Sequence, residues 1–481
     1  METLKEKTAR GLLWGGVSNG IQQLLNLVFG IFLARLLTQS DYGMVGMLTV
    51  FSAIGTVLQE GGFIAALNKR KHAGHADYNA VFWACTLVSV SFYALLFVCA
   101  PLIARFYGIG ELTPLARFVF LSFVIASLNV APRAMLFRQM RVRETALTNI
   151  ISLLISGCVA VVMALRGFAY WGIATQTIVY MAMVTVLSYY YTGWRPSLPV
   201  DFRPVKEMFG FSSRLIVTNL CNVVNNNLFA VILGRLYTPD DVGNYTQANK
   251  WTTMGHSLIT SMVYGVAQPV FTRVEDDRER QRNVFRKLLR FTAFICFPLM
   301  FGLMLTAQEF IVILITEKWL SSARIMQVLC VGGAFLPISN LFSNLIISRG
   351  HSSVYMWCTI ALCITEIATA CLLSPLGIMT MVSAYVAVQV AWLLVWHYHA
   401  HREIGVRLGE VLRDIAPYLL LSLALIALAH FITQPIANLY LRFAAKVVLV
   451  AAGYVGVLWG LKSVILREAA DFLLHHKIHN D

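Results

Sequence analysis

Residues 31–46 read IFLARLLTQSDYGMVG and residues 231–246 read VILGRLYTPDDVGNYT. Arg35, Leu36, Thr38, Asp41 and Gly43 recur as Arg235, Leu236, Thr238, Asp241 and Gly243, an offset of 200. The register holds upstream, where Asn19 aligns with Asn219 and Asn26 with Asn226 inside apolar segments of helical length. A duplicated half therefore organises most of the chain. Further on, Gly172-Ile173 and Gly377-Ile378 open corresponding segments, the offset having drifted to 205 as small loop insertions produce.

Hydrophobic residues make up 58% of the chain and charged ones only 13%, with a mean hydropathy of +0.68, more than a water-soluble surface tolerates. Lipid offers backbone amides no partner, so apolar runs of about 20 residues are read as spanning helices. Fourteen are expected, near residues 11–36, 42–66, 79–104, 114–136, 144–166, 170–193, 209–236, 243–268, 286–308, 322–347, 353–374, 377–398, 414–434 and 443–464. The second and eighth carry Glu60 and Lys250 in or near the hydrophobic layer, and the repeat pairs these two segments with each other. The first span follows a basic start but lacks a short apolar region with a small-residue cleavage site, so it reads as a retained span.

Lysine and arginine set the orientation, because short basic loops stay in the cytoplasm. With both termini inside, the inner segments hold 28 of these residues and the outer side eight. The formal charge of +14 is thus mostly an orientation signal, and nucleic acid is not an expected partner; anionic lipid headgroups are. The nine cysteines lie mainly inside spans without a CxxC pair, which argues against a disulfide or metal framework, and no cofactor is expected.

The expected fold is an all-α polytopic membrane protein. Residues 1–200 form one six-helix bundle, 201–405 a second, 406–465 an extra pair of spans, and 466–481 an amphipathic tail on the inner leaflet. An even number of spans per copy makes the repeats parallel, related by an axis along the membrane normal and enclosing a central cleft. Such an architecture suits alternating access.

Polar residues inside spans are costly in lipid and tend to face water or a bundle interior. Asn19, Gln22, Gln23 and Asn26 follow i, i+3, i+4, i+7 and share one helical face; Asn219, Asn222 and Asn226 repeat the stripe, with Asn225 and Asn227 beside it. They read as a lining for a sugar-bearing substrate, or as interhelical hydrogen bonds of about 0.6–2 kcal/mol each. A cleft that admits a phosphate or pyrophosphate needs fixed positive charge. Arg35, Arg235 and Lys250 are the candidates, with Arg117 and Arg290 less central. Arg35 and Arg235 also suit a structural role, complementing a helix C-terminal dipole and pairing with Asp41 or Asp241.

Glu60 and Glu366 are protonatable groups that could couple transport to an ion gradient. The excess of Lys and Arg over Asp and Glu inside the bundles nevertheless favours an anionic substrate over a drug cation. His397, His399 and His401 form an HxHxH run best read as a solvated span end. Pro269, Pro298 and Pro337 can kink spans that bend during cycling.

The chain carries no GxSxG, HExxH or P-loop and no long soluble loop, so it is not read as an enzyme. The ARLLTQSDYGMVG segment, its GRLYTPDDVGNY copy and the fourteen expected spans resemble the Wzx-type polysaccharide flippases of the MOP superfamily, with Val242 standing where the first copy has Tyr42. The resemblance implies a MATE-like V of two bundles in the bacterial inner membrane. It implies movement of undecaprenyl-pyrophosphate-linked oligosaccharide to the periplasmic leaflet for capsule, O-antigen or exopolysaccharide synthesis, alongside polysaccharide-assembly proteins. Joined to the residue pattern above, it gives the hypothesis that Arg35, Arg235 and Lys250 stabilise the pyrophosphate while Asn19, Gln22, Asn26, Asn219, Asn222 and Asn226 contact the sugars. The alternatives are a cation-coupled multidrug antiporter on the same scaffold and a membrane-embedded glycan polymerase or ligase.

Overall fold

The computed structural model describes residues 4–60, 62–70, 73–274, 276–463 and 465–466, and its described residues contain helices and no strand. The packing divides into two compact units, Met1–Gly243 and Asn244–Asp481.

The first unit holds α1 (Leu4–Leu36), α2 (Gln39–Glu60), α3 (Phe63–Lys69), α4 (His75–Tyr107), α5 (Leu112–Ser127), α6 (Val130–Arg138), α7 (Val142–Leu165), α8 (Tyr170–Thr192) and α9 (Arg203–Leu236). Helix α7 packs on α1 and α8, α4 on α5, and α2 on α5 and α9. Small residues permit the close approaches, as is usual where lipid supplies no hydrophobic drive between helices. A side chain at Gly157 would enter the ring of Phe29, and one at Gly55 would come within 2.6 Å of Phe123.

The segment between α8 and α9 is tied to the same unit. Asn79 exchanges two hydrogen bonds with Ser197, its Nδ2 donating to the Ser197 carbonyl at 2.9 Å and its Oδ1 accepting from the Ser197 amide at 2.9 Å. Trp194, 6% exposed, joins Phe63, Leu67, Phe82 and Val130 in a local core. Arg70 bridges Asp77 at 2.7 Å and Glu207 at 2.6 Å. Helix α9 itself packs on α2, α3 and α4, so it travels with the first packing unit although the sequence repeat begins near 201.

The second unit contains the body of α10 (Pro239–Arg273), then α11 (Arg278–Ile315), α12 (Leu320–Ser348), α13 (Ser352–Leu373), α14 (Ile378–Ala391), α15 (Leu393–Ile404), α16 (Leu408–Thr433) and α17 (Leu439–Gly460). Helix α11 is central, packing on α12, α16 and α17. Its core is aromatic: Phe285 meets Phe342 at 4.9 Å and Phe271 at 6.1 Å, and Phe297 meets Phe335 at 5.2 Å. Such pairs contribute about 0.5–1.5 kcal/mol each beyond their buried area.

This is a multi-pass membrane protein. Among the described residues eleven helices are long and apolar enough to span a membrane, or twelve if α5 and α6, bent by 46° at their junction, form one broken span. Fourteen are reached only by adding α9 and α10, of 34 and 35 residues, which have the length. Helix α10 carries Lys250 and His256, which lower its apolarity, and the side chains of part of α9, with most of the second Asn stripe, lie outside the described residues. The expected amphipathic segment 466–481 lies outside the described residues except for Leu466.

Candidate functional site

The duplicated motif builds the same local device twice. Each copy ends one helix and starts the next through Thr and Asp. The Thr38 amide and hydroxyl both donate to Asp41 Oδ2 at 2.8 Å, and the Asp41 amide donates back to Thr38 Oγ1 at 3.2 Å. In the second copy the Thr238 hydroxyl donates to Asp241 Oδ2 at 2.8 Å, while the two amide bonds are 3.3 Å. Reciprocal caps of this kind satisfy otherwise orphaned amides at a helix start and stabilise it by about 1 kcal/mol. The aspartates expected to pair with Arg35 and Arg235 thus also serve as caps.

The two devices touch. A side chain at Gly43 would collide with the carbonyl of Pro239, and a side chain at Gly243 would collide with the carbonyl of Gln39. Such a Gly243 side chain would also stand 3.1 Å from the Gly43 amide nitrogen. The starts of α2 and α10 therefore cross backbone to backbone, which only glycine permits. Beside the crossing, the Tyr107 hydroxyl donates to the Met47 carbonyl at 3.2 Å, and Tyr107 fills the space over Gly234.

The first polar stripe stands open. Asn19, Gln23 and Asn26 are exposed on α1, and Gln22 is half-buried, donating to Ser18 Oγ at 2.9 Å. Asn219 is exposed on α9; the side chains of Asn222, Asn225 and Asn226 lie outside the described residues. Asn227 is half-buried and donates to the Val223 carbonyl at 2.9 Å, a bond internal to its own helix.

Of the cations, Arg35 and Arg235 are exposed at the ends of α1 and α9, the Arg235 guanidinium lying 5.5 Å from the Phe106 ring centre. Lys250 is half-buried on α10 with its ammonium 5.7 Å from the Trp251 ring. His256 is half-buried, its Nδ1 3.5 Å from Thr260 Oγ1. Arg117 and Arg290 have structural employment. Arg117 lies 4.2 Å over Phe97 and donates to the Phe97 carbonyl, whereas Arg290 is 3.7 Å from Asp414.

The two acids differ. Glu60 is half-exposed and bound to Arg133 at 2.8 Å. Glu366, 5% exposed on α13, keeps one buried carboxylate oxygen without a hydrogen-bond partner among the described residues. Gln389 of α14 lies within hydrogen-bond reach of it. In the histidine run, His397 and His401 stack at 6.1 Å, and His401 Nδ1 lies 3.0 Å from the Val406 carbonyl.

Two charge clusters, one buried and one part-exposed, escaped the sequence reading. Lys446 on α17 contacts Glu309 of α11 at 2.7 Å, and Arg442 reaches the same carboxylate at 2.8 Å. On α11, Arg282, Arg286 and Arg290 recur every four residues and face Glu410 and Asp414 of α16, where Arg286 grips Asp414 at 2.7 and 3.1 Å. The i, i+4 spacing on both segments was the available signal; what the chain did not display was that residues some 128 positions apart would meet.

Residues 32–324 match the model of a polysaccharide biosynthesis protein family. The chain is 26% identical over 365 residues to the lipopolysaccharide biosynthesis protein WzxC of Escherichia coli (strain K12), covering 73% of this chain and 72% of that one. It is 23% identical over 456 residues to the teichuronic acid biosynthesis protein TuaB of Bacillus subtilis (strain 168), covering 92% and 94%. It is 25% identical over 357 residues to the succinoglycan biosynthesis transport protein ExoT of Rhizobium meliloti (strain 1021), covering 74% and 72%. In fold it is similar to the lipid II flippase MurJ in an inward closed conformation, with a TM-score of 0.75 over 93% of this chain and 99% of that one at 14% identity. A multidrug resistance MATE family transporter of the MOP superfamily, inward-facing, gives 0.65 over 80% and 94% at 17% identity.

Proposed function

The chain belongs to the polysaccharide biosynthesis protein family, and from that membership we propose that it flips a polyprenyl-pyrophosphate-linked oligosaccharide from the cytoplasmic to the periplasmic leaflet of a bacterial inner membrane. The observation that carries the reading is the open amide face of α1. Asn19, Gln23 and Asn26 are exposed on a helix that is otherwise apolar enough to span. Amides left facing hydrocarbon are costly, so such a face belongs to a wet path, and amides donate and accept as sugar hydroxyls require.

In this reading each repeat is a six-helix bundle, with the termini in the cytoplasm and the last two spans beside the lipid tail. Arg35, Arg235 and Lys250 stabilise the pyrophosphate, and Asn19, Gln22, Asn26, Asn219, Asn222 and Asn226 contact the sugars. Glu366 is better suited than Glu60 to carry the coupling ion, because its carboxylate is buried with an unpartnered oxygen while that of Glu60 is held by Arg133. Flipping makes and breaks no covalent bond, so the cycle asks of the protein only differential binding in two conformations. Polysaccharide-assembly proteins are the partners that would consume the product.

The test is the leaflet distribution of polyprenyl-linked oligosaccharide in cells with and without the protein. Accumulation on the inner leaflet after deletion is expected. An unchanged distribution together with altered drug sensitivity would replace the proposal with a multidrug antiporter, the activity named for the MATE neighbour.

A further inference from the structure

The first unit encloses a cavity of about 270 Å³ among α2, α6, α7 and α8 and the end of α5. Its origin is local. Helix α5 stops at Ser127 and α6 resumes at Val130 with a 46° bend, so the chain swings away from the path a straight helix would fill. Asn129 sits at that break and lines the opening.

The lining is polar for a space inside a membrane bundle. Gln59, Asn129, Thr148, Asn149 and Tyr180 contribute amides and hydroxyls. Asn129 and Thr148 are 6% and 2% exposed, and neither Asn129 Oδ1 nor Thr148 Oγ1 has a hydrogen-bond partner among the described residues. Buried polar atoms without partners are rare in folded proteins and call for an explanation, since each costs about 1–3 kcal/mol. The Glu60–Arg133 pair, partly exposed, borders the cavity and offers a carboxylate and a guanidinium without adding net charge.

We propose that this cavity is a saccharide subsite that takes one neutral sugar ring of the transported headgroup. Three features select that ligand. The volume corresponds to about nine water molecules at roughly 30 Å³ each, room for a single ring and too little for a repeat unit. The polar groups that line it are mostly neutral and can both donate and accept, matching hydroxyls and not a phosphate. Tyr180, with Ile64, Val130 and Met181, supplies the apolar surface against which a ring face lies. The subsite stands apart from the amide stripes of α1 and α9, and it rests on the flippase reading for the source of the sugar.

The experiment uses the full chain in nanodiscs of phosphatidylethanolamine and phosphatidylglycerol. The probes are methyl glycosides of glucose, galactose, N-acetylglucosamine and glucuronic acid, read by saturation-transfer NMR. At least one neutral glycoside is expected to give a saturable signal, weakened tenfold or more by Thr148→Val combined with Asn149→Leu at an unchanged melting temperature. Should that pair disturb folding, Tyr180→Phe and Arg133→Gln supply the same reading singly. Absence of any saturable signal, or a signal that survives all of these substitutions, overturns the proposal, the cavity then holding water alone. Preference for the glucuronide overturns the neutral ring. Because the readout is binding without transport, it stands or falls separately from the leaflet distribution.

Discussion

The ammonium of Lys446 lies 2.7 Å from Glu309 Oε1, and its second hydrogen bond, at 3.1 Å, goes to the carbonyl of Leu305 one turn earlier on the same helix. The two side chains are 8% and 2% exposed. A lysine in the middle of a spanning helix is therefore neutralised by a partner 137 residues away, and the pair fastens α17 to α11.

Removing the carboxylate leaves the buried Lys446 ammonium without a partner charge, whereas removing Lys446 leaves Glu309 still held by Arg442. Glu309→Gln is therefore expected to destabilise the folded protein by about 3–5 kcal/mol, and Lys446→Met by much less. Combining Glu309→Gln with Lys446→Met recovers much of the loss, since the charge that needed company is gone. A thermal melt of the two single variants and the double variant in detergent checks this, and additive losses would refute it.

The crossing of α2 and α10 tolerates no side chain. Gly43→Ala or Gly243→Ala forces a methyl group into a backbone carbonyl, so each is expected to part the helix starts and lower polysaccharide export at least tenfold in protein that still reaches the membrane. Because both act on one contact, the double variant should be little worse than either single one. In the same variants a cysteine placed at Thr38 should react faster with a membrane-impermeant thiol reagent, and an unchanged rate would show that the crossing is intact.

Lys250→Ala is expected to lower export tenfold or more, with Lys250→Arg retaining part of it, as a group that meets an anionic substrate should. Arg235→Ala is expected to follow the same course. Export assayed by complementation decides, and wild-type levels in both alanine variants would remove the pyrophosphate assignment.

Glu366→Gln keeps the shape of the side chain and removes its charge. If this carboxylate carries the coupling ion, the variant loses the response of transport to an imposed ion gradient while still binding lipid-linked substrate. A response equal to that of the parent would assign coupling elsewhere. Glu60→Gln, by contrast, should principally loosen the contact with Arg133.

The repeat, the helical class and most spans were readable from hydropathy and from the spacing of Arg, Thr, Asp and Gly alone. Helix α10 sat at the edge of that signal because Lys250 and His256 stand where lipid-facing helices carry leucine. Asp41 and Asp241 were read as possible arginine partners, and their role as caps for the threonine three residues before each was not foreseen. The cavity beside Asn129 left no trace in the sequence, since it arises from a 46° bend between two helices whose combined length looks like one span. The Lys446–Glu309 pair was hidden for a different reason, because charge partners far apart in the chain have no periodicity to betray them.

The contact around Gly43 has the form of a self-complementary interface. Position 43 meets position 239 and position 243 meets position 39, which under the offset of 200 is the same pair of sites read in both directions. Isologous contacts of this kind are what two identical subunits make about a two-fold axis. The junction thus has the local two-fold character of such a contact while being made within a single chain, where the two copies need not stay alike. Differences such as Tyr42 against Val242, within the shared frame of Arg, Leu, Thr, Asp and Gly, are the sort of divergence that a symmetric dimer would have had to accept twice.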